Sequence, residues 1–524
     1  MKSSLRLAAT ASAFALLLTG CGDAPDKEPA ESGELPSEIP MTSDELDKDA
    51  HFRWAYTQYT TSWDPTKSVG GGDFSFYAPV YDRLLWLEPD ASVSPMLAED
   101  FTAEGNTVTM NLREGLTFSD GTPFDAEAVK FNLERDAADG STLQAEVGQF
   151  ESAEVIDEHT IKVTVSYGLG AYLSALTARG GIMVSPTAVE NGTIEDEPVG
   201  IGPYVATSMT PGDKVEYEKT PDYWDPSVQN VATMTYSLML DDQTRYNAVQ
   251  SGEVDGAFLN PNQIDTAIAA DLNVISEPST SFVYIMVNPT IEPFDDPEVR
   301  RAMNYAVDRQ AIADGLYEGY CSAGVQPWPE SSPGYSEEIG DGLDQLPYDP
   351  EKAKQTLADA GYPDGFEFTT VATNVSQYTA LAEALQDQFS AVGITMNIDP
   401  VPTPQVIEKF VIDQSVAGNV NPYTGFADPH GVLARHFLDG GTYGFGGQLD
   451  DETLKTAQDA ASEVDPEDRR PLYGEVMQAM VDEPTHLLSL CQVHLTAAFN
   501  DQVSNVQQFF SGSTDLRGVA MTKE

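Results

Sequence analysis

Apolar residues along this chain recur at two spacings, and the spacings mark out its strands and helices. Residues 107–112 (TVTMNL) alternate, so Val108, Met110 and Leu112 share one face of a half-buried strand. Residues 160–167 (TIKVTVSY) do the same with Ile161, Val163 and Val165. Between them Phe118 leads into the turn dipeptide Asp120-Gly121, and Asp125 is placed to cap a helix with Glu127 in its first turn. Ala128, Phe131 and Leu133 give that helix its apolar side. Asp296-Pro297 and Asp349-Pro350 are helix starts, with a capping carboxylate followed by a proline preset for the first turn. Val299, Met303 and Ala306 continue the first. Ala353, Leu357 and Ala360 continue the second, which Gly361 ends. A strand (FEFTTVAT), a helix around Leu381 to Phe389 and a strand (ITMNIDP) follow. Nearer the start, FRWAYTQYTTSWDP reads as a strand running into a turn at Asp64-Pro65. Mixed helices and strands over such a length predict α/β lobes built around sheets. No repeat of fixed short period appears.

The N-terminus has a different pattern. Lys2 and Arg6 precede an apolar run, Leu7 to Leu18, too short to span a bilayer and suited to a secretory signal. Leu18-Thr19-Gly20-Cys21 resembles a bacterial lipobox, which predicts cleavage after residue 20 and lipidation of Cys21. More than one acyl chain holds a protein durably at a membrane surface, so no transmembrane helix is needed. Residues 21–50, rich in Pro, Glu, Asp, Ser and Ala, read as an extended acidic tether, with the folded body starting near His51.

Composition narrows the function. The 524 residues exceed what one core usually organises, roughly 250–300 residues, so more than one lobe is expected. The 27 Lys and Arg against 84 Asp and Glu give a formal net charge of −57. That balance argues against nucleic acid and anionic headgroups as partners of the folded body; it reads as a solvated, salt-tolerant surface that could also attract cationic solutes. Two cysteines remain besides Cys21. Cys321 and Cys491, in an oxidising compartment, either bridge or stay as buried thiols. The glycines at 70–72 and the run GGTYGFGG (440–447) lack the Lys-Ser or Lys-Thr of a phosphate loop. His51, His159, His430, His436, His486 and His494 do not fall at zinc-site spacings, and no nucleophile elbow is present, so neither a catalytic centre nor a cofactor is expected.

Several stretches, taken in order, carry a family resemblance. They include TSWDPTKS, VYDRLLWLEPDASVSPMLAEDF, YNAVQSGEVDGAF and PFDDPEVRRAMNYAVDRQAI, with GTPF, GIGPY and Pro221-Asp222-Tyr223-Trp224 as the most specific signatures. From about His51 to the C-terminus the chain resembles the peptide/nickel-type solute-binding proteins of ATP-binding-cassette importers. The resemblance implies a two-lobed α/β clamshell of the periplasmic-binding-protein type (type II, three-region cluster C arrangement). Lobe I would comprise 51–80, 198–279 and 495–524, with an inserted domain at 81–197, and lobe II 280–494. It implies a monomer that encloses a small molecule or peptide between its lobes and hands it to permease subunits. By matched position it assigns ligand contact to Val69, Gly71, Tyr284, Tyr423, Gly425, Phe426 and Asp428. One departure stands out. Where peptide binders of the family place an Asp against the ligand's ammonium, this chain has Gly425, and Asn421-Pro422 replaces a Gly-Trp pair. Either another carboxylate, Asp428 being one candidate, takes the ammonium or the ligand is not an ordinary free peptide. An oligosaccharide stacked on Trp63, Tyr423 and Phe426, or a metal chelate near His430 or His436, are the alternatives.

Overall fold

The capping carboxylates start their helices as the sequence predicts. Asp125 accepts from the Ala128 amide at 2.9 Å, Asp296 from Glu298 at 2.8 Å and Asp349 from Lys352 at 2.9 Å. Gly361, at φ 95°, closes the third of these helices, Pro350–Asp359, in the left-handed region where a side chain would be strained. The computed structural model describes residues 35–523 apart from 69–70, 424, 426, 439–440 and 447–448. Cys21, Val69, Phe426, the signal segment 1–20 and the first part of the tether thus lie outside the described residues.

An 11-stranded mixed sheet runs through the molecule. Its order is Ile394–Val401, Phe366–Thr373, Gly418–Tyr423, Asn273–Val287, Leu487–Phe499, Gly256–Leu259, His51–Tyr56, Thr233–Leu238, Lys214–Lys219 and Tyr204–Thr210, with Cys321–Ala323 added beside Leu487–Phe499. Two long antiparallel strands in the middle, Asn273–Val287 and Leu487–Phe499, carry the chain between lobes. Thr496 to Phe499 pairs with Gly256–Leu259 on one side, and Phe282 to Val287 pairs with Gly418–Tyr423 on the other. Their mutual register breaks between Pro278 and Phe282. There the Thr280 amide turns away to donate to the Phe510 carbonyl at 2.7 Å.

Three apolar cores follow this division. One gathers Phe52, Trp54, Tyr77, Tyr217, Tyr236 and Phe499. A second belongs to the four-stranded sheet of Ala98–Glu104, Thr107–Leu112, Thr160–Val165 and Phe150–Asp157, whose faces bury Val108, Met110, Ile161 and Val163 completely. The third, largest core spans Phe282 to Cys491. Cys321 and Cys491 form a disulfide across paired strands within it.

Two expectations change. In the helix Ala126–Asp136, Val129 and Asn132 are buried with Ala128 and Leu133, while Phe131 stays half-exposed. The body also starts before His51. Glu38–Ile39 pairs with Val506–Phe509, Leu46 bridges Thr522, and Leu35 packs beside Tyr246 and Leu259. Acidic composition masks a few well-placed apolar residues, and backbone hydrogen bonds such as Ser276 N–H to the Pro36 carbonyl (2.9 Å) do not depend on side-chain type.

Candidate functional site

Buried carboxylates build the walls between the lobes. Asp73, fully buried, accepts from Ser68 Oγ (2.5 Å), Thr61 Oγ1 (2.8 Å) and the Thr61 amide (3.1 Å). It folds the loop after Asp64-Pro65 so that Gly72 and Phe74 face inward. Gly71 stands beside them in the turn Gly71–Asp73. Asp82, also fully buried, accepts from Arg517 Nη1 (2.6 Å), Tyr223 Oη (2.5 Å) and Trp224 Nε1 (2.7 Å). It thereby ties the C-terminal segment to the strand–turn that carries Arg83.

The walls enclose a cavity of about 960 Å³, at the upper end for small-molecule sites. Tyr56, Phe74, Arg83, Trp86 and Arg517 line it from the first lobe, and Tyr284, Asn421, Tyr423, Arg435 and Tyr443 from the second. Tyr284 Oη accepts from Asn419 Nδ2 at 3.2 Å, and the Tyr423 ring stacks on Phe282 at 4.9 Å. Burial pushes both tyrosine hydroxyls up, so they remain protonated at neutral pH.

The charges of the lining do not follow those of the chain. Four arginines (83, 179, 435, 517) face three carboxylates (Asp82, Glu146, Asp515). Arg517 is paired with Asp82, and Arg179 with Glu146. Burial raises the Asp515 carboxyl although its Oδ1 accepts the Arg517 amide at 2.8 Å. Burial likewise brings the Arg83 guanidinium down to about 10, which leaves it charged at neutral pH. The composition as a whole is acidic, whereas this lining has more cations than anions. It contains no His, Cys or Lys among the described residues.

Tyr284, Tyr423 and Gly425 line the cavity. Asp428 does not. It sits in a smaller pocket, in a bidentate ion pair with Arg469 (2.7 and 2.9 Å), and also accepts the His430 amide at 2.9 Å. Burial opposes ionisation of Asp428, but Arg469 and the His430 amide hold its carboxyl below the ordinary value. It therefore has little capacity left for an ammonium. Gly425 supplies no carboxylate and has no space for a side chain, since a Cβ there would lie 2.1 Å from Thr280 Oγ1 and 2.2 Å from the Thr280 carbonyl oxygen. Trp63 is core, packed on Tyr77 at 5.9 Å. His436 is fully buried beside Tyr443, and no cluster of three metal-ligating side chains occurs among the described residues. Sequence reading missed Arg83, Trp86, Arg435 and Arg517. The signal was there: Asp82-Arg83 and Arg435 are charges set inside apolar runs, VYDRLLWL and GVLARHFL.

Away from the crossing strands, the lobes meet again at the rim. The Gly168 amide donates to Ser462 Oγ at 3.1 Å, and Tyr167 Oη lies 3.4 Å from His430 Nε2. Gly170 packs so closely on the Glu463 carbonyl that a Cβ would fall 1.7 Å from its oxygen.

Comparison with known proteins fits this geometry. The family model described as "bacterial extracellular solute-binding proteins, family 5 Middle" matches residues 92–443. The glutathione-binding protein GsiB of Escherichia coli (strain K12) is 34% identical over 328 residues, which are 61% of this chain and 63% of GsiB. The chain thus spans just under two thirds of that relative's length. Two solved structures share the fold. One is the ABC transporter-associated periplasmic binding protein DppA from Helicobacter pylori in complex with peptide STSA (TM-score 0.76, 20% identity, 91% of this chain and 98% of that one). The other is AgaA from A. tumefaciens R10 in complex with agropinic acid (TM-score 0.76, 24% identity, 91% and 99%).

Proposed function

Because this chain belongs to the bacterial extracellular solute-binding proteins of family 5, we propose that it captures small peptides or peptide-like solutes between its lobes and delivers them to the permease of an ATP-binding-cassette importer. It binds and releases; it performs no chemistry on its cargo. Cys21, lipidated, anchors it to the outer face of the cytoplasmic membrane, and it works as a monomer.

The observation that carries this reading is the inter-lobe cavity of about 960 Å³, bounded by aromatic rings and by polar groups on both lobes. A guest there touches both halves at once, so it favours the closed form by the contacts that only closure makes. Room for several residues, with few groups fitted to one side chain, suits a peptide backbone held mostly by general contacts. A lining without His, Cys or Lys gives a metal chelate no protein ligand of those types among the described residues.

Thermal unfolding in the presence of candidate ligands tests the proposal. A ligand present at about 100 times its dissociation constant adds about 2.7 kcal/mol to stability. Di- to pentapeptides or their conjugates are expected to raise the melting temperature by several degrees. Stabilisation by oligosaccharides or nickel–histidine complexes alone, with none by any peptide, would replace the peptide reading.

A further inference from the structure

Once the ion pairs are set aside, the cavity keeps two arginines, one on each lobe, and one carboxyl, Asp515, which burial raises. The Arg83 guanidinium lies over the rings of Phe74 (4.9 Å) and Trp86 (4.5 Å) and donates through Nη1 to the Thr177 carbonyl at 2.7 Å. No carboxylate stands at ion-pair distance from it among the described residues; Asp515 attracts it from farther away. Arg435, in the last turn of His430–His436, lies between the rings of Tyr423 (5.7 Å) and Tyr443 (5.5 Å). Its Nε is buried without a hydrogen-bond partner, and it too has no carboxylate at ion-pair distance among the described residues. Both guanidinium groups line the same cavity. A buried, unmatched donor costs free energy, and two like charges facing a shared cleft oppose its closure.

We propose that the captured solute carries two carboxylates, as a dicarboxylic peptide or amino-acid conjugate does, with one held by Arg83 and the other by Arg435. The inference rests on the capture of a peptide-like solute in this cavity. It adds that the cargo's two negative ends, not its amine, fix it. Arginine presents a planar fork that matches a carboxylate's two oxygens, and flanking aromatic rings hold that fork in plane. A dianion would neutralise one cation from each lobe and turn their mutual repulsion into attraction through the ligand. That is the differential affinity for the closed form that capture needs. For the amine, Asp428 is occupied by Arg469 and Gly425 has no space for a side chain, which leaves Asp515, a buried carboxyl that accepts the Arg517 amide and lies in the field of Arg83 and Arg517.

Calorimetric titration of the purified protein with matched pairs differing only by amidation decides it. The probes are glutathione and its diamide, Glu-Ala-Ala and Gln-Ala-Ala-amide, and Ala-Ala-Glu and Ala-Ala-Gln-amide. The tightest-binding acid is expected to exceed its amide at least about tenfold, the scale of a charge-assisted hydrogen bond. Arg83→Gln and Arg435→Gln are each expected to remove most of that preference. Amides that bind as well as their acids, or variants that keep the full preference, would overturn the dicarboxylate assignment and leave peptide capture standing. Failure of every acid and every amide to bind would overturn both. If a variant does not fold, the acid–amide comparison on the unaltered protein still decides.

Discussion

His486 is enclosed by Phe437 (5.1 Å), Phe445 (5.6 Å) and His436 (6.1 Å), and this burial holds its pKa down to about 3. Burial likewise holds His430 and His494 down to about 4, and His436 well below its ordinary value. In the unfolded chain these rings take up protons near pH 6.5, but in the folded protein only far below that. Their contribution to stability is therefore complete above about pH 6.5 and falls as the pH drops toward 4. Asp428 acts lower down. Its carboxyl, depressed by Arg469, stabilises the fold above the unfolded value near 3.9 and loses that effect as the pH falls further. Thermal unfolding between pH 7.5 and 4 is expected to show a melting temperature that falls below about pH 6.5, a fall that His486→Phe makes shallower, since a phenyl ring suits the same aromatic surroundings. A profile that His486→Phe leaves unchanged would contradict the assignment of a buried neutral ring. Asp428→Ala, which strands the buried Arg469, is expected to cost about 3–5 kcal/mol at neutral pH. Urea unfolding that shows no loss would mean that the pair is not buried. At this scale the sequence was partly legible. Matched position led to Tyr284, Tyr423 and Gly425 at the cavity wall, but Arg83 and Arg435 needed the rule that a charge within an apolar run has a partner or a task.

The helix Leu169–Ala175 places Gly170 against the Glu463 carbonyl, at the rim farther along from the crossing strands. The Cβ of Gly170→Ala would meet backbone oxygen at 1.7 Å, and backbone cannot give way as a flexible side chain can. The residue lies where two separately packed cores touch, so the clash opposes closure more than it opposes folding of either core. Gly170→Ala is expected to keep its circular dichroism and most of its stability while weakening ligand binding at least about tenfold through depletion of the closed form. Unchanged affinity would show that this rim contact is no part of the bound form. Elements themselves were the most legible level. Asp-Pro starts, alternation in TVTMNL and TIKVTV, and Gly361 as a stop all rest on local chemistry that any context preserves. Residues 35–50 were read as tether because their average composition is acidic. Their placement depends on a few residues, Leu35, Ile39 and Leu46, meeting C-terminal and inter-lobe partners hundreds of positions away. The Cys321–Cys491 bond is of the same kind, since proximity across 170 residues is a property of the fold and not of spacing.

For the whole molecule, the net charge of −57 and the arginine-lined cavity have different tasks. The surface charge keeps the protein dispersed and screens out within about 8 Å at physiological salt, so it does not cancel the field inside the cleft. Composition averages over the surface and for that reason does not reveal the excess of arginine in the cavity lining. The cavity was illegible for a related reason: its walls come from Tyr56 to Arg517, and the two crossing strands and the rim contacts bring them together. Anchoring is a separate claim at this scale. Cys21→Ser is expected to move the protein from the membrane fraction to the soluble fraction on cell fractionation, and retention on membranes would refute lipidation at that residue. The central claim is that two lobes close on a guest, and small-angle X-ray scattering measures it directly. Scattering from the purified protein, alone and with a saturating mixture of di- to pentapeptides that includes glutathione, is predicted to show a smaller radius of gyration with ligand present, a contraction that Gly170→Ala diminishes. Superimposable profiles with and without the mixture, under conditions where calorimetry shows binding, would contradict the account.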